Sequence, residues 1–417
     1  MRFHSVMLFM TLAAVAHAND ANYQHFLVGE RAAGMGGAAC ASATAVDACF
    51  YNPAGLARTR ENSLSISANL YGFQKYEASS FIYPGEDLMA DSFVSIPSTM
   101  GAVFKSKSGL TFAASMFVPA RLAASEIQAF TADRHFYSFT RDDQTLWAGP
   151  SVGYQLTPSV AIGASVFGVY RTYTMMESLY WGDYSFSYAR NLKADNLGVV
   201  GLAGLQYRPS EKLALGLVVQ TPTRNLGGSG DFQEDYAIGL AGYESAGSSY
   251  ARDLNTENGL PAKITLGISW ERPKEWALAA DVTHHMARDS HTLEGATDTG
   301  QPFLSPTRRE PVTNINIGGE YYMKEKYPLR AGFFTSFSSA PDTSVETMTY
   351  SAHEDLYGLT ASVGSESEHV AINVGLSYLF GSGTDYGMEI NENGLTPCLV
   401  DASDRHLYVF FSTSYYF

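Results

Sequence analysis

Two adjacent histidines, His284 and His285, stand just before Asp289 and Ser290, the residue types that nucleophilic catalysis would use. A nucleophile needs a base within hydrogen-bond reach and a third group to orient that base. Neighbours on a strand point to opposite faces, so "VTHH" cannot offer both rings to one substrate. No nucleophile–base–orienter geometry follows from the spacing, and the expectation is that the chain is not an enzyme. Cys40, Cys49 and Cys398 lack metal-site spacing, so neither a metal nor another cofactor is expected. Cys40 and Cys49 are near enough in sequence to bridge in an oxidising compartment, which would leave Cys398 odd. The acidic patch Glu389 to Glu392 reads as a solvated face able to meet divalent cations.

One stretch remains, "FYNPAGLAR" (Phe50 to Arg58), preceded by "GMGGAACASATAVDAC". Asn52, Pro53, Ala54 and Gly55 break any helical or strand period. Asn caps a turn, and Pro presets φ at the next position. The segment is small, irregular and almost uncharged. The elements that must hold it therefore decide its meaning.

The first residues carry Arg2, the apolar run "VMLFMTLAAVA" and the small-x-small site Ala16-His17-Ala18, which predicts a cleaved signal peptide over 1–18. That run is too short to span a bilayer, and no later one approaches the roughly 18 residues a spanning helix needs. The net charge is −15; removing Arg2 with the leader makes it −16. An acidic chain argues against nucleic acid as a partner and against a pore that concentrates anions.

From Asn62 onward the apolar period is two. Ile264, Leu266, Ile268 and Trp270 share one face of "AKITLGISWER"; Leu278, Ala280 and Val282 continue the pattern after a short turn. Tight polar links begin at Lys105, Thr157, Arg208, Arg272 and Lys324, and a longer, wetter loop lies between each pair. Short turns at one end and long loops at the other are the asymmetry of an outer-membrane barrel. Fourteen alternating runs can be counted, among them 146–156, 159–172, 196–207, 211–221 and 406–417. The fold class predicted is therefore all-β: a 14-stranded antiparallel transmembrane β-barrel over 62–417, with residues 19–61 as a segment in its lumen. Barrels of about eight strands are just filled by their own side chains, so fourteen leave space for such a plug. Phe417 ends an aromatic alternating strand, which looks like the signal that the barrel-insertion machinery reads.

"ERAAGMGGA…AVDACFYNPAGLA" is similar to the start of the FadL/TodX-type outer-membrane transporters, the long-chain fatty acid and aromatic hydrocarbon channels. Their N-terminus forms a hatch carrying an Asn-Pro-Ala motif, matched here by Asn52, Pro53 and Ala54. Units such as "LPAKITLGISWERPKEWALAADVT" and "INIGGEYYMKEKYPLRAGFF" extend the resemblance over the mature chain. It implies a monomer in the bacterial outer membrane, in contact with lipid and lipopolysaccharide, that takes up a hydrophobic small molecule passively. The implied outer groove falls on the stretch between the fifth and sixth runs, with Met175, Met176, Leu179, Tyr180, Trp181 and Phe186, and on Thr223 to Pro261. The interface girdle is the other reading of those aromatics. The implied lateral gate falls on Pro119 and Ala120, where proline interrupts a ladder. Many relatives carry Pro-Phe-Gly there; this chain has Pro119, Ala120 and Arg121, which bears on the size of any gap. A general porin, and a barrel scaffold in secretion or assembly, stand as alternatives.

Overall fold

Leu266 is 59% exposed whereas Ser269 is fully buried. Ile268, Trp270, Leu278 and Val282 are likewise exposed. In water, hiding such side chains would gain about 25 cal/mol per Å2. A sheet that turns them outward and its serines inward is built for lipid outside. The computed structural model describes residues 21–67, 70–83, 85–130, 135–182, 185–240, 243–344, 351–391 and 394–417. The export segment 1–18 lies outside them. No helix among the described residues is long and apolar enough to cross a membrane.

Fourteen antiparallel strands close into a barrel. Strands β1 (Ser63–Ser67 and Leu70–Tyr83), β2 (Glu86–Ile96 and Thr99–Lys105), β3 (Leu110–Phe130), β4 (His135–Gln155) and β5 (Val160–Trp181) come first. Then follow β6 (Phe186–Tyr207), β7 (Leu213–Gln220 and Arg224–Leu240), β8 (Tyr243–Leu254 and Lys263–Arg272), β9 (Trp276–His285) and β10 (Val312–Met323). The last are β11 (Tyr327–Ser336), β12 (His353–Glu366), β13 (Val370–Asn391) and β14 (Gly394–Tyr416). The seam closes where β14 pairs with β13, Val370 opposite Tyr415, and with β1, Ser63 opposite Tyr416. Tight turns at one end use left-handed backbone at Gly109, Lys274, Lys324 and Glu325, the conformation that two- and three-residue hairpins require.

The wall is uneven in height. β5 has 22 residues and β9 only 10, so at about 3.3 Å per residue one side stands roughly twice as tall as the other. The continuous outward apolar row on β5 and β6 reaches Tyr170 and Leu197, which are paired; beyond them Met176 and Tyr180 stand among polar neighbours on β5. Above it the outer face carries Asp195, Lys193, Asp142 and Arg405, all exposed. The tall wall therefore rises out of the membrane, and its inner face is filled by Phe81, Leu88, Tyr137, Leu179 and Tyr188. Runs read from sequence as 146–156, 196–207 and 406–417 are in fact Gln155 back to His135, Tyr207 back to Phe186, and Tyr416 back to Gly394. The missed halves keep their ladders but have polar outer faces, so their hydrophobic alternation vanishes while the backbone pairing continues. On the low side, a hairpin of Arg288–Ala296 and Pro302–Arg309 leans over the lumen from the β9–β10 loop.

The N-terminal segment lies inside this barrel as two short helices, α1 (Arg31–Gly34) and α2 (Ala45–Tyr51), and a 3-10 turn, Pro53–Arg58.

Candidate functional site in the barrel lumen

The segment sits backbone against backbone on the inner wall. Gly153, Gly163 and Gly204 oppose one another across β4, β5 and β6. A Cβ on Gly153 would come 2.7 Å from Ala57 N, and one on Gly163 2.5 Å from Ala54 N. On Gly204 it would strike Asn52 Oδ1, with Pro53 Cδ at 2.9 Å. Gly318 and Gly332, paired on β10 and β11, leave the same room for Met35 and Gly36. Only glycine lets a main chain approach a wall so closely. Asn52 fixes the turn on both sides. Its Nδ2 donates to Cys40 O at 2.7 Å and to Leu205 O of β6 at 3.0 Å, and its Oδ1 accepts from Ala54 N at 3.1 Å. Wall side chains finish the seating: Asp281 accepts from Ala39 N and Cys40 N at 2.8 Å, and Asn316 donates to Gly36 O at 2.7 Å.

An ionic floor ties the segment to the short-turn end. Arg31 Nη2 lies 2.9 Å from Glu320 Oε1 and 3.7 Å from Glu271 Oε2. Arg330 Nε lies 2.6 Å from Glu320 Oε2, and its Nη2 lies 3.2 Å from Glu366 Oε1. Arg208 joins at Glu271, 2.9 Å away, and Lys274 pairs with Glu366. Asp47 closes the start of α1 by accepting the N–H groups of Glu30, Arg31 and Ala32 at 3.0–3.1 Å. Burial pushes the Glu30 carboxyl up to about 7, against a Ser414 hydroxyl donating to Oε2 at 2.5 Å and with help from the Asp47 charge. A raised carboxyl stabilises the seated form only while protonated. Seating is therefore firmest below pH 4.5, the ordinary value, and weakens as pH rises through about 7. Protease protection of the segment should fall over that window by about 1–3 kcal/mol, and Glu30→Gln should flatten the dependence.

Above the segment is a cavity of about 170 Å3. Phe26 and Phe50 form its floor, Leu122, Trp147 and Val218 line its walls, and Leu260 closes the outer side. Phe50 packs 5.5 Å from Trp147 and 5.2 Å from Phe117 by ring centroids. Within the charged lining, Arg171 grips Asp143 at 2.6 and 2.9 Å, and Lys263 Nζ stands 5.5 Å above the Phe50 ring.

The cavity reaches the wall at Pro119 and Ala120. There β3 bulges: Phe117 opposes Trp147, but the next pairing puts Ala120 opposite Thr145. One extra residue resets the alternation, turning Pro119 and Ala120 toward the cavity. On the other edge the β2–β3 ladder ends with Thr99 opposite Phe117, after which a last backbone bond joins Val118 N to Ser98 O at 3.0 Å. Among the described residues, no ladder joins Glu86–Ile96 to the outer half of β3. The neighbouring outer face carries Tyr71, Phe73 and Phe93, all exposed, so this interruption lies level with the apolar band.

The residues expected to form a loop groove do not form a loop. Met175, Met176, Leu179, Tyr180 and Trp181 belong to β5, and Phe186 begins β6. Alternation separates them: Met175, Leu179 and Trp181 are buried inward, whereas Met176 and Tyr180 are 42% and 48% exposed on the outer face. Met175 packs with Leu192, Phe232 and Leu293 beneath the hairpin, and Phe186 lies against the Leu179 cluster. Most of Thr223 to Pro261 is likewise strand. The Cys40–Cys49 bridge allowed by the sequence is not formed; both thiols are free and buried, and burial pushes Cys49 up to about 11. His285 stacks on Tyr23 inside at 4.2 Å while His284 bonds Thr313 on the outer face, so the pair cannot act together. The acidic patch runs past the described residues at Glu392. The glycine seat has no signature in the sequence, because its members lie on different strands and only the barrel's register aligns them.

The family described as "Outer membrane protein transport protein (OMPP1/FadL/TodX)" matches residues 8–398. The Pseudomonas putida toluene transporter TodX superposes with a TM-score of 0.70 at 16% identity, covering 94% of this chain and 98% of that one. A Pseudomonas aeruginosa FadL homologue gives 0.66 at 13%, covering 95% and 100%. The Ralstonia pickettii toluene transporter TbuX gives 0.62 at 15%, covering 94% and 98%. No curated protein sequence matches the chain. A lumen segment on a glycine seat, a fourteen-strand wall with its apolar face outward and a family match over nearly the whole length agree: the chain belongs to the OMPP1/FadL/TodX family of outer-membrane transport proteins.

Proposed function

We propose that this channel admits small hydrophobic molecules passively, and that they leave sideways through the wall beside Pro119 rather than through the floor. The observation that carries the reading is the cavity meeting the wall where the β2–β3 ladder stops, level with the apolar band. Residues 19–61 act as the hatch. Its backbone seat and ionic floor block the straight path to the periplasm, so a hydrophobic molecule in the cavity gains most by moving into lipid. The outer mouth lies beneath the hairpin, where the half-buried Phe303 at the edge of the Met175–Phe232–Leu293 cluster gives an apolar landing point. Met176 and Tyr180, on the outer face, are not part of that path.

Size narrows the cargo. An apolar cavity of about 150 Å3 holds one benzene, whereas drug-sized ligands occupy roughly 300–1,000 Å3. At about 170 Å3 the cavity suits a single aromatic ring or a short length of alkyl chain at a time. Phe417, 56% exposed and stacked on Tyr415 beside the seam, fits the role of a handle for the insertion machinery.

The test is uptake of labelled toluene and oleate, with a small sugar alongside, by cells whose channel carries a reducible disulfide between β2 and β3. Hydrophobic uptake that stops on locking, returns on reduction and leaves sugar exclusion unchanged supports lateral exit. Uptake indifferent to the lock overturns it, and sugar flux through the intact channel makes the protein a porin.

A further inference from the structure

We infer that Ser92 and Arg121 are two-way staples that hold the β2–β3 gap shut and release it with each donor keeping an acceptor. This rests on lateral exit as the route. Where the backbone ladder has ended, these two side chains reach across. The Ser92 hydroxyl of β2 donates to Ala123 O of β3 at 2.6 Å. Arg121 Nη1 of β3 reaches Ser95 O of β2 at 3.4 Å.

Each staple also has a second acceptor on its own side of the gap. Ser92 Oγ lies 3.3 Å from Gln74 Oε1 on β1, the partner strand of β2. Arg121 Nη2 lies 3.4 Å from Asp142 Oδ2 on β4, the partner strand of β3. When the strands part, Ser92 turns to Gln74 and Arg121 keeps Asp142. The half-buried Ser92 hydroxyl would carry a heavy penalty if it lost its only acceptor, whereas exchanging acceptors costs it little; Arg121, on the outer face, keeps its ion pair. The two states of the gap are thus close in free energy, which is what a gate needs. Arg121 spans the outer side of the gap to Ser95 O, so its length sets the width and it acts as a specificity-determining residue.

The prediction has opposite signs for neighbouring residues. Ser92→Ala and Arg121→Gly remove what holds the gap closed and should each raise labelled toluene uptake roughly five-fold, the shift of one ordinary hydrogen bond. Asp142→Ala takes away the fallback of Arg121 and should lower uptake several-fold. Arg121→Lys should fall between Arg121→Gly and the parent. Arg121→Gly should also raise naphthalene uptake more than toluene uptake. Folding of each variant is checked by its heat-modifiable migration. A Ser92→Cys/Ala123→Cys disulfide in a Cys398→Ser background separates the two claims. If that lock abolishes uptake while the staple variants leave it unchanged, or all shift it in one direction, the staples are overturned and lateral exit stands. If the lock changes nothing, lateral exit itself has failed.

Discussion

An Arg330→Ala channel should leak. Arg330 is 4% exposed and lies between Glu320 and Glu366, with Nη1 also donating to Asn373 Oδ1 at 3.1 Å. Removing it leaves Glu320 and Glu366 short of a cation, and breaking one partner of a buried pair costs about 3–5 kcal/mol. The barrel ladders do not depend on that contact, but the hatch does, because Arg31 binds the same Glu320 carboxylate. Much of the cost should therefore appear as unseating. The expected result is sugar flux at least ten-fold above the parent in liposome swelling, with faster proteolysis of residues 29–61. Arg330→Lys keeps the charge but loses the fork that bridges two carboxylates, and should leak at an intermediate rate. The double variant Arg330→Met/Glu320→Leu also takes the carboxylate from Arg31, whose other acid, Glu271, stands 3.7 Å away, and should leak at least as much as Arg330→Ala. A tight Arg330→Ala channel would show that the glycine seat holds the hatch without the floor.

The barrel was legible because lipid exposes what water would hide: Leu266, Ile268 and Trp270 alternate with small and polar residues, and nothing in a soluble core demands that. Asn52 and Pro53 were legible as a turn, since Asn caps and Pro presets φ. The upper half of β5 was not. Its outer face passes from Tyr170 to Thr172 and Thr174, so the stretch from Met175 to Trp181 looked like a loop carrying apolar residues. Pro119 was legible as a ladder breaker, but the acceptors of Arg121 were not, because Ser95 and Asp142 come from two other strands. Single glycines such as Gly163 carry no local signal at all. What sequence shows well is alternation within one strand; what it hides is register between strands, and both the seat and the gap are properties of register.

The glycine seat makes the second strong prediction. Alanine at Gly163 and Gly204 together should drive the Asn52–Pro53 turn off the wall. The new Cβ atoms would stand 2.5 Å from Ala54 N and 2.9 Å from Pro53 Cδ, and would strike Asn52 Oδ1 and the Pro53 carbonyl. Three of these four atoms are backbone or proline ring, which cannot swing aside, and overpacking of this kind costs typically 1–3 kcal/mol per site. Asn52 would also lose its bond to Leu205 O, so the capped turn would be loosened from both ends. Gly201 on the same strand provides the control. It faces lipid, its nearest neighbour to a built Cβ is Thr221 Cγ2 at 3.7 Å, and Gly201→Ala should match the parent. The double variant should admit sugar and expose the hatch to protease while its barrel still migrates as folded. If Gly163→Ala/Gly204→Ala seals as well as Gly201→Ala, the hatch is not held by close backbone approach, and the ionic floor must carry the seal alone. If it leaks, the hatch is a fixed plug, and the moving parts of the channel are the wall beside Pro119 and the residues that line the cavity above it.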